Sequence, residues 1–345
     1  MSSGKSNRSS RPVTIKDIAR MLNVSVATVS RALRNTHDVS SDTQKKIFAL
    51  ANELHYRPNL NATGLVKGTS NTIGIVLPYI NNYYFSTVIT GIQEIAYQHK
   101  YNIVLFLTDD SPEKELSIIE DLMTASVDGL LVSVCSSPDS CQHYQQVIDY
   151  GIPIVFFDRV PGNIAASKVM QDDYNGAFKA VEHLIKRGYT RIAHIAGPKE
   201  LHFTQQRLQG YSDALKKHGF NIQPDWIIYS GFSQKDGEED AARLLQCKKM
   251  PDAIFAVNDR KALGAMIALK KKSITIGKDI GVIGFTNDPA SEIISPTLST
   301  IAEPALEIGK TSCTLLLKHL RKKHTVAEET ILPCELIIRE STKRI

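Results

Sequence analysis

Arg31 carries a planar fork of donors, and Val26 and Ala27 place compact apolar side chains one helical turn ahead of it. Those residue types match what the major groove of DNA displays: a guanidinium can bond guanine O6 and N7 together, and a small apolar side chain can rest on the thymine methyl. Ser30 and Arg34 follow at spacings that keep them on the same face of a helix through this segment.

Such a face needs a scaffold, and the flanking residues supply one. Ile15, Ile18, Ala19 and Leu22 recur at the interval of one buried helix stripe, with Thr14 where an N-cap oxygen is wanted, so a first helix is expected from about 14 to 22. Asn23-Val24 makes a short turn, Ser25 can cap a second helix, and Val29, Ala32 and Leu33 face inward from it. Ser40 or Ser41 can cap a third helix that buries Ile47, Leu50, Ala51 and Leu54. Two short helices joined this tightly read as helix-turn-helix. Three amphipathic helices could also serve protein–protein contact, and charge decides between the readings. Residues 1 to 70 hold eleven Lys/Arg against four acids, a net of +7 in a chain whose total is +5, so the remainder is near −2. The polyanion-binding potential is concentrated at one end.

Residues 13 to 67 resemble the headpiece of the lactose/galactose repressor (LacI/GalR) family. Thr14-Ile15-Lys16-Asp17-Ile18-Ala19, Val24-Ser25, Ala27-Thr28-Val29-Ser30-Arg31 and Tyr56-Arg57-Pro58-Asn59 stand at the family's spacing without a gap. The resemblance implies that Val26, Ala27 and Arg31 read bases, and that Thr14, Ser25, Thr28, Ser30, Thr43, Tyr56 and Asn59 contact the DNA backbone. Arg34 departs from the family's small polar residue and suggests an added phosphate contact. Residues 1 to 12 read as a disordered basic tail and 13 to 58 as the DNA-binding domain. The segment 59 to 70, which includes Ala62 and Leu65, is too short to hold a helix alone in water, where about twelve to fifteen residues are marginal. The resemblance implies a hinge helix that forms over the minor groove with Leu65 as a wedge between base steps. A flexible linker is the other reading of the same residues, because Gly64 interrupts them.

From 71 onward, apolar runs of strand length (73 to 77, 103 to 107, 129 to 132, 154 to 157, 192 to 195, 253 to 257, 280 to 285) alternate with helical segments. Nearly continuous Val/Ile/Leu strands between helices argue for parallel sheets covered on both faces. About 275 residues exceed one such core, so two doubly wound lobes are expected. The fold class is thus an all-α headpiece plus a two-lobed α/β domain, which the resemblance specifies as periplasmic-binding-protein-like. Lobe one is expected over about 71 to 161 plus 296 to 323, and lobe two over about 162 to 295 plus 324 to 340.

Ligands of open parallel sheets lie beyond the strands' carboxyl ends. Those ends carry Tyr84 and Phe85, Asp109, Asp158 and Arg159, and Asn258 and Asp259; the family pattern adds Arg207 and Phe232. Aromatic faces, a donor fork and carboxylates suit a polyhydroxy ligand, a sugar or sugar derivative. Thr286 stands where the family commonly has an Asp, and Glu303 where a Gln is frequent, so no particular sugar or purine carries over.

Enzyme readings find little support: no G-x-G-x-x-G follows the first strand, and there is no P-loop or G-x-S-x-G. No cofactor or metal site is expected, since the histidines are scattered and His319 and His324 sit among lysines and arginines. Five cysteines without a C-x-x-C suit reduced thiols. Met1 to Arg11 lacks the apolar core of a signal peptide, and no apolar run is long enough to span a membrane, which argues for the cytoplasm. The expectation is a ligand-controlled transcription regulator, a repressor in the resemblance, that binds pseudo-palindromic DNA as a homodimer. A two-lobed solute-binding protein, or an α/β enzyme with a fused DNA-binding module, is the alternative.

Overall fold

The apolar stripes of the first sixty residues close on one another. The computed structural model describes residues 11, 13–33, 38–56, 69–124, 127–136, 141–322 and 326–344. Helices α1 (Ile15–Met21), α2 (Val26–Leu33) and α3 (Ser41–Glu53) bury Ile18, Ala19, Val29, Ala32, Ile47 and Ala51 in a core of their own. Thr14 and Asp17 form the capping box of α1, with the Thr14 amide and hydroxyl both donating to the Asp17 carboxylate, at 3.0 and 2.6 Å. Ser25 caps α2 by accepting from the Thr28 amide at 3.0 Å, and Ser40, rather than Ser41, caps α3. Asn23 takes the left-handed turn between α1 and α2 with φ of 53°. The basic tail, Arg34, Asn59 and the hinge segment with Ala62 and Leu65 lie outside the described residues.

The chain divides into two compact units, Met1–Ser70 and Asn71–Ile345. The second unit runs β1 (Thr72–Leu77), α4 (Tyr83–Gln98), β2 (Asn102–Leu107), α5 (Pro112–Thr124), β3 (Gly129–Val132), α6 (Gln142–Asp149), β4 (Ile154–Phe157) and β5 (Ser167–Gln171). Next come α7 (Asp173–Lys186), β6 (Ile192–Ala196), α8 (His202–Lys217), β7 (Ile227–Tyr229), α9 (Gln234–Leu244), β8 (Ala253–Ala256), α10 (Asp259–Lys271) and β9 (Gly281–Thr286). It ends with α11 (Ala290–Ile293), β10 (Ser299–Ala302), α12 (Ala305–Arg321), β11 (Glu329–Leu332) and β12 (Glu335–Ile337).

These strands form two six-stranded sheets, ordered β11-β5-β4-β3-β1-β2 and β12-β10-β9-β8-β6-β7. All pairings are parallel except β10 with β12, a single antiparallel edge on an otherwise doubly wound pair of sheets. Central strands such as β3, β4 and β8 are buried along their whole length, as strands covered by helices on both faces must be. In the first lobe α4 and α12 cross at Gly91 and Gly309: a Cβ on Gly91 would strike the Leu306 carbonyl, and one on Gly309 the Val88 carbonyl. Only glycine permits backbones to approach that closely.

The lobe boundaries fall later than the sequence suggests. β5 belongs to the first sheet and β10 to the second, so the chain crosses between lobes at Asp172, at Glu303–Pro304 and at Pro333–Cys334. Ser167-Lys168-Val169-Met170-Gln171 mixes polar and apolar residues and hides a strand that the apolar runs do not reveal. Two crossings are tied together, the Asp172 amide donating to the Leu332 carbonyl at 2.8 Å. The C-terminus docks on the second lobe through Ser341, whose hydroxyl donates to the Val282 carbonyl at 2.6 Å, and through Thr342, 2.8 Å from His183 Nε2.

Candidate DNA-reading helix and ligand cleft

On α2 the division of labour follows helical geometry. Val29 and Ala32 are fully buried, while Val26, Ala27 and Arg31 are exposed together on the opposite side. Val26 is 41% exposed, an apolar side chain left uncovered among the described residues of its own unit. Thr28 and Ser30 are half-buried beside them, as are Thr43 at the start of α3 and Tyr56 against the three-helix core. The hydroxyls of Thr14, Ser25 and Thr43 are engaged within the headpiece, with Asp17, Thr28 and Ser40 respectively. These contacts hold the helix ends, and Val26, Ala27 and Arg31 stay exposed on the face between them.

In the second unit a cleft of about 470 Å³ opens between the lobes at the carboxyl ends of the strands. Of the expected residues, Tyr84, Asp158, Arg159, Arg207, Phe232, Asn258, Asp259 and Thr286 line it. Two do not. Phe85 is 3% exposed and packs into the core of the first lobe, because Asn82 starts α4 by accepting from the Phe85 amide and turns that residue inward. Asp109 points away to Lys114 at 2.6 Å, and its neighbour Asp110 takes the place in the cleft.

The cleft also gathers residues the strand ends do not reveal, among them Tyr79, Ser136, Phe203, Asp236, Asp288 and Glu303. Phe203 precedes Arg207 by one helical turn on α8, a spacing that could have found it. Several lining positions adopt left-handed backbone: φ is 60° at Asp110, 58° at Asp158 and 142° at Thr286. Such conformations cost about 1–3 kcal/mol each for ordinary residues and collect at functional sites.

Three carboxylates and one guanidinium form the floor. Arg207 donates through Nε to Asp173 at 2.8 Å, pairs with Glu303 at 2.6 Å, and reaches the Val257 carbonyl. Its plane lies over Phe285 at 3.6 Å and Phe203 at 4.9 Å. Burial works against its charge, but Asp173 and Glu303 overcome that and hold Arg207 protonated. Burial lifts Asp173 to about 7 and Asp158 to about 6, against the lowering pull of Arg207 on Asp173 and of Arg159 on Asp158. Gln171, on the first sheet, joins the lobes: Tyr84 donates to it at 3.2 Å, and its own amide donates to Asp173 at 3.3 Å.

The mouth is bridged as well. Arg159 of the first lobe donates to Asp110 at 2.7 Å and to Ser136 at 3.0 Å, and its guanidinium lies 5.1 Å from the Phe232 ring of the second lobe. Phe232 in turn stacks on Phe203, ring centroids 5.6 Å apart. Aromatic faces, hydrogen-bonding edges and an enclosed floor make a site for a small polar ligand with a ring. Among the described residues, no group of three or more metal-ligating side chains is assembled.

Comparison with known proteins agrees with both halves. Residues 14–59 match the description "Bacterial regulatory proteins, lacI family", and 181–342 match "Periplasmic binding protein-like domain". The HTH-type transcriptional repressor PurR of Vibrio vulnificus (strain CMCP6) is 33% identical over 334 residues, covering 96% of this chain and 99% of the relative. The crystal structure of the Lac repressor dimer bound to operator and the anti-inducer ONPF is 28% identical with a TM-score of 0.84, covering 96% of this chain and 99% of that one. A transcriptional regulator CelR–cellobiose complex superposes with a TM-score of 0.75 at 26% identity, covering 96% and 100%. Matched along nearly its full length to a repressor, and across its recognition helix to the family's DNA-reading module, the chain belongs to the LacI family of DNA-binding transcriptional regulators.

Proposed function

We propose that the protein binds a pseudo-palindromic operator as a homodimer, and that a sugar or sugar derivative in the interlobe cleft controls that binding. The observation that carries the reading is the exposed Val26–Ala27–Arg31 face on a helix otherwise locked into its own core. Arg31 reads guanine, Val26 and Ala27 rest on thymine methyls, and Thr14, Ser25, Thr28, Ser30, Arg34, Thr43, Tyr56 and Asn59 fix the register on the backbone. Leu65 and Ala62 act at the minor groove from a hinge that forms on DNA. The solved relatives in complex with operator and with cellobiose support this assignment of roles to the two halves.

Control follows as population shift. A ligand that prefers one angle between the lobes stabilises that angle, and the lobes set the separation of the two hinges in a dimer. Tyr84, Asp158, Arg159, Arg207, Phe232, Asn258, Asp259 and Thr286 supply the ligand contacts. The dimer face lies on lobe surfaces that include α4 and α12, and the protein acts in the cytoplasm, consistent with the absence, among the described residues, of any helix long and apolar enough to cross a membrane.

Selection of bound duplexes from a random DNA pool at near-physiological salt tests the reading. Enrichment of a two-fold sequence with a deformable centre is expected. Enrichment of a single half-site, or sedimentation of monomers on the selected duplex, would overturn the dimeric scheme.

A further inference from the structure

We infer that the cleft takes an uncharged ligand and rejects the phosphate ester of the same molecule. The inference rests on the reading of the cleft as the effector site and concerns what that site selects.

Six carboxylates line the cleft against three guanidiniums, so its own field is negative. The two deep guanidiniums are already committed. Arg159 is held by Asp110 and Ser136 with an aromatic ring against its face, and Arg207 by Asp173 and Glu303 between two more rings. A phosphate could recruit Arg207 only by displacing a buried carboxylate, and leaving a buried charge unpaired is costly; at Arg159 it would compete with Asp110, already 2.7 Å from Nη1. Arg260 is exposed, where solvent and salt screen it.

Helix N-termini are the other ordinary seats for phosphate, through their free amides and positive dipole ends. Three such ends at the cleft are closed from within. Asn82 caps α4, accepting from the Phe85 amide at 2.8 Å, and Asn258 caps α10, accepting from the Lys261 amide at 2.8 Å. The capping box of α9 places the Asp236 carboxylate at its first turn, where an anion would otherwise sit. α8 starts without a side-chain cap, and there Leu201, Phe203 and Phe232 form an apolar cluster.

What remains unmet in the cleft is an acceptor. The Asp158 carboxylate has only long hydrogen bonds, from Ser133 at 3.3 Å and Gln171 at 3.5 Å. It can accept from a ligand hydroxyl and repels a second anion. With the stacked Phe203–Phe232 pair forming an apolar wall nearby, the complementary ligand is a neutral, hydroxyl-bearing molecule.

The test uses the full-length protein and a panel of neutral mono- and disaccharides and nucleosides, each paired with its phosphate ester, together with inorganic phosphate. Thermal shift finds the binders, and calorimetry at fixed ionic strength ranks each pair. A neutral member is expected to bind, with its ester about a hundredfold weaker. Asp110→Asn, which releases Arg159 from its carboxylate, should narrow that gap. An ester that binds as tightly as its parent, or stabilisation by inorganic phosphate alone, would overturn the charge selection. Repeating the best pair on Phe232→Ala separates the two failures. Loss of parent and ester together keeps the cleft as the site while charge selection falls; a neutral ligand indifferent to Phe232 binds elsewhere and removes the cleft reading. Binding by no member of either class would overturn both.

Discussion

Arg159 spans the mouth of the cleft, its guanidinium 5.1 Å from the ring of Phe232, so that a residue of one lobe rests against a ligand-facing ring of the other. A cation–π contact of this kind contributes about 0.5–2 kcal/mol, enough to bias an open–closed equilibrium without locking it. Arg159→Met should therefore speed amide exchange in the cleft-lining segments around Asp110 and Phe232 while the β3 and β8 strands stay protected. Hydrogen exchange by mass spectrometry reads both, and unchanged exchange in those segments would mean that the contact does not restrain the lobes.

Arg207 is 3% exposed and answers two carboxylates. Removing one partner of a buried ion pair typically costs about 3–5 kcal/mol, because the surviving charges have no water. Arg207→Met should lower the unfolding free energy of the second unit, read from urea melts, by that order, and Arg207→Lys by less. A midpoint equal to that of the parent protein would show that the carboxylates find other partners.

His183 gives stability a pH dependence of known sign. Burial lowers it from its ordinary value to about 4, so the folded protein keeps it neutral where the unfolded chain takes up a proton. Its contribution is present above the unfolded value near 6.5 and is lost as pH falls toward 4. The buried carboxylates Asp158 and Asp173 are shifted upward and work in the opposite sense, so the comparison must be with a variant at this one site. The melting temperature of the parent should fall more steeply from pH 6.5 to 4 than that of His183→Gln. Parallel curves would contradict the assignment.

Within the headpiece, base reading and backbone contact separate by their effects. Arg31→Ala should cost about 1–3 kcal/mol on the selected operator and relax preference at one base pair. Thr43→Ala should weaken binding alike on operator and random duplexes. Competition titrations on substituted duplexes check both, and a uniform loss for Arg31→Ala would assign it to phosphate instead.

The headpiece was legible because its signals are local: caps and apolar stripes specify three short helices, and the helix boundaries fall within a residue or two of those expected. The central strands were equally plain, since burial on both faces demands an unbroken apolar run. The strands β5, β7, β10 and β11 are not marked by apolar runs because edge positions and crossings tolerate polar residues, whereas β12 falls in the closing segment that resembles the family's terminal strand; β11, Glu329-Thr330-Ile331-Leu332, alternates exposed and half-buried positions. The cleft was half legible. Strand ends point to Asp158 and Asn258, but whether Asp109 or Asp110 faces inward depends on two consecutive left-handed residues that no spacing rule reveals. Asp236 comes from a helix cap, and only the assembled lobes bring it into the cleft; Glu303, marked in the sequence by the family pattern, comes from a crossing segment.

Among the described residues of the first unit, the small core built from Ile18, Val29, Ala32 and Ile47 is made of side chains from residues 13 to 56. In the proposed division of roles, drift at Val26, Ala27 and Arg31 changes the DNA address alone, and a change in the cleft changes the sensed molecule alone. A lineage built on this plan can acquire a new stimulus for old genes, or new genes for an old stimulus, by altering a handful of positions in one half.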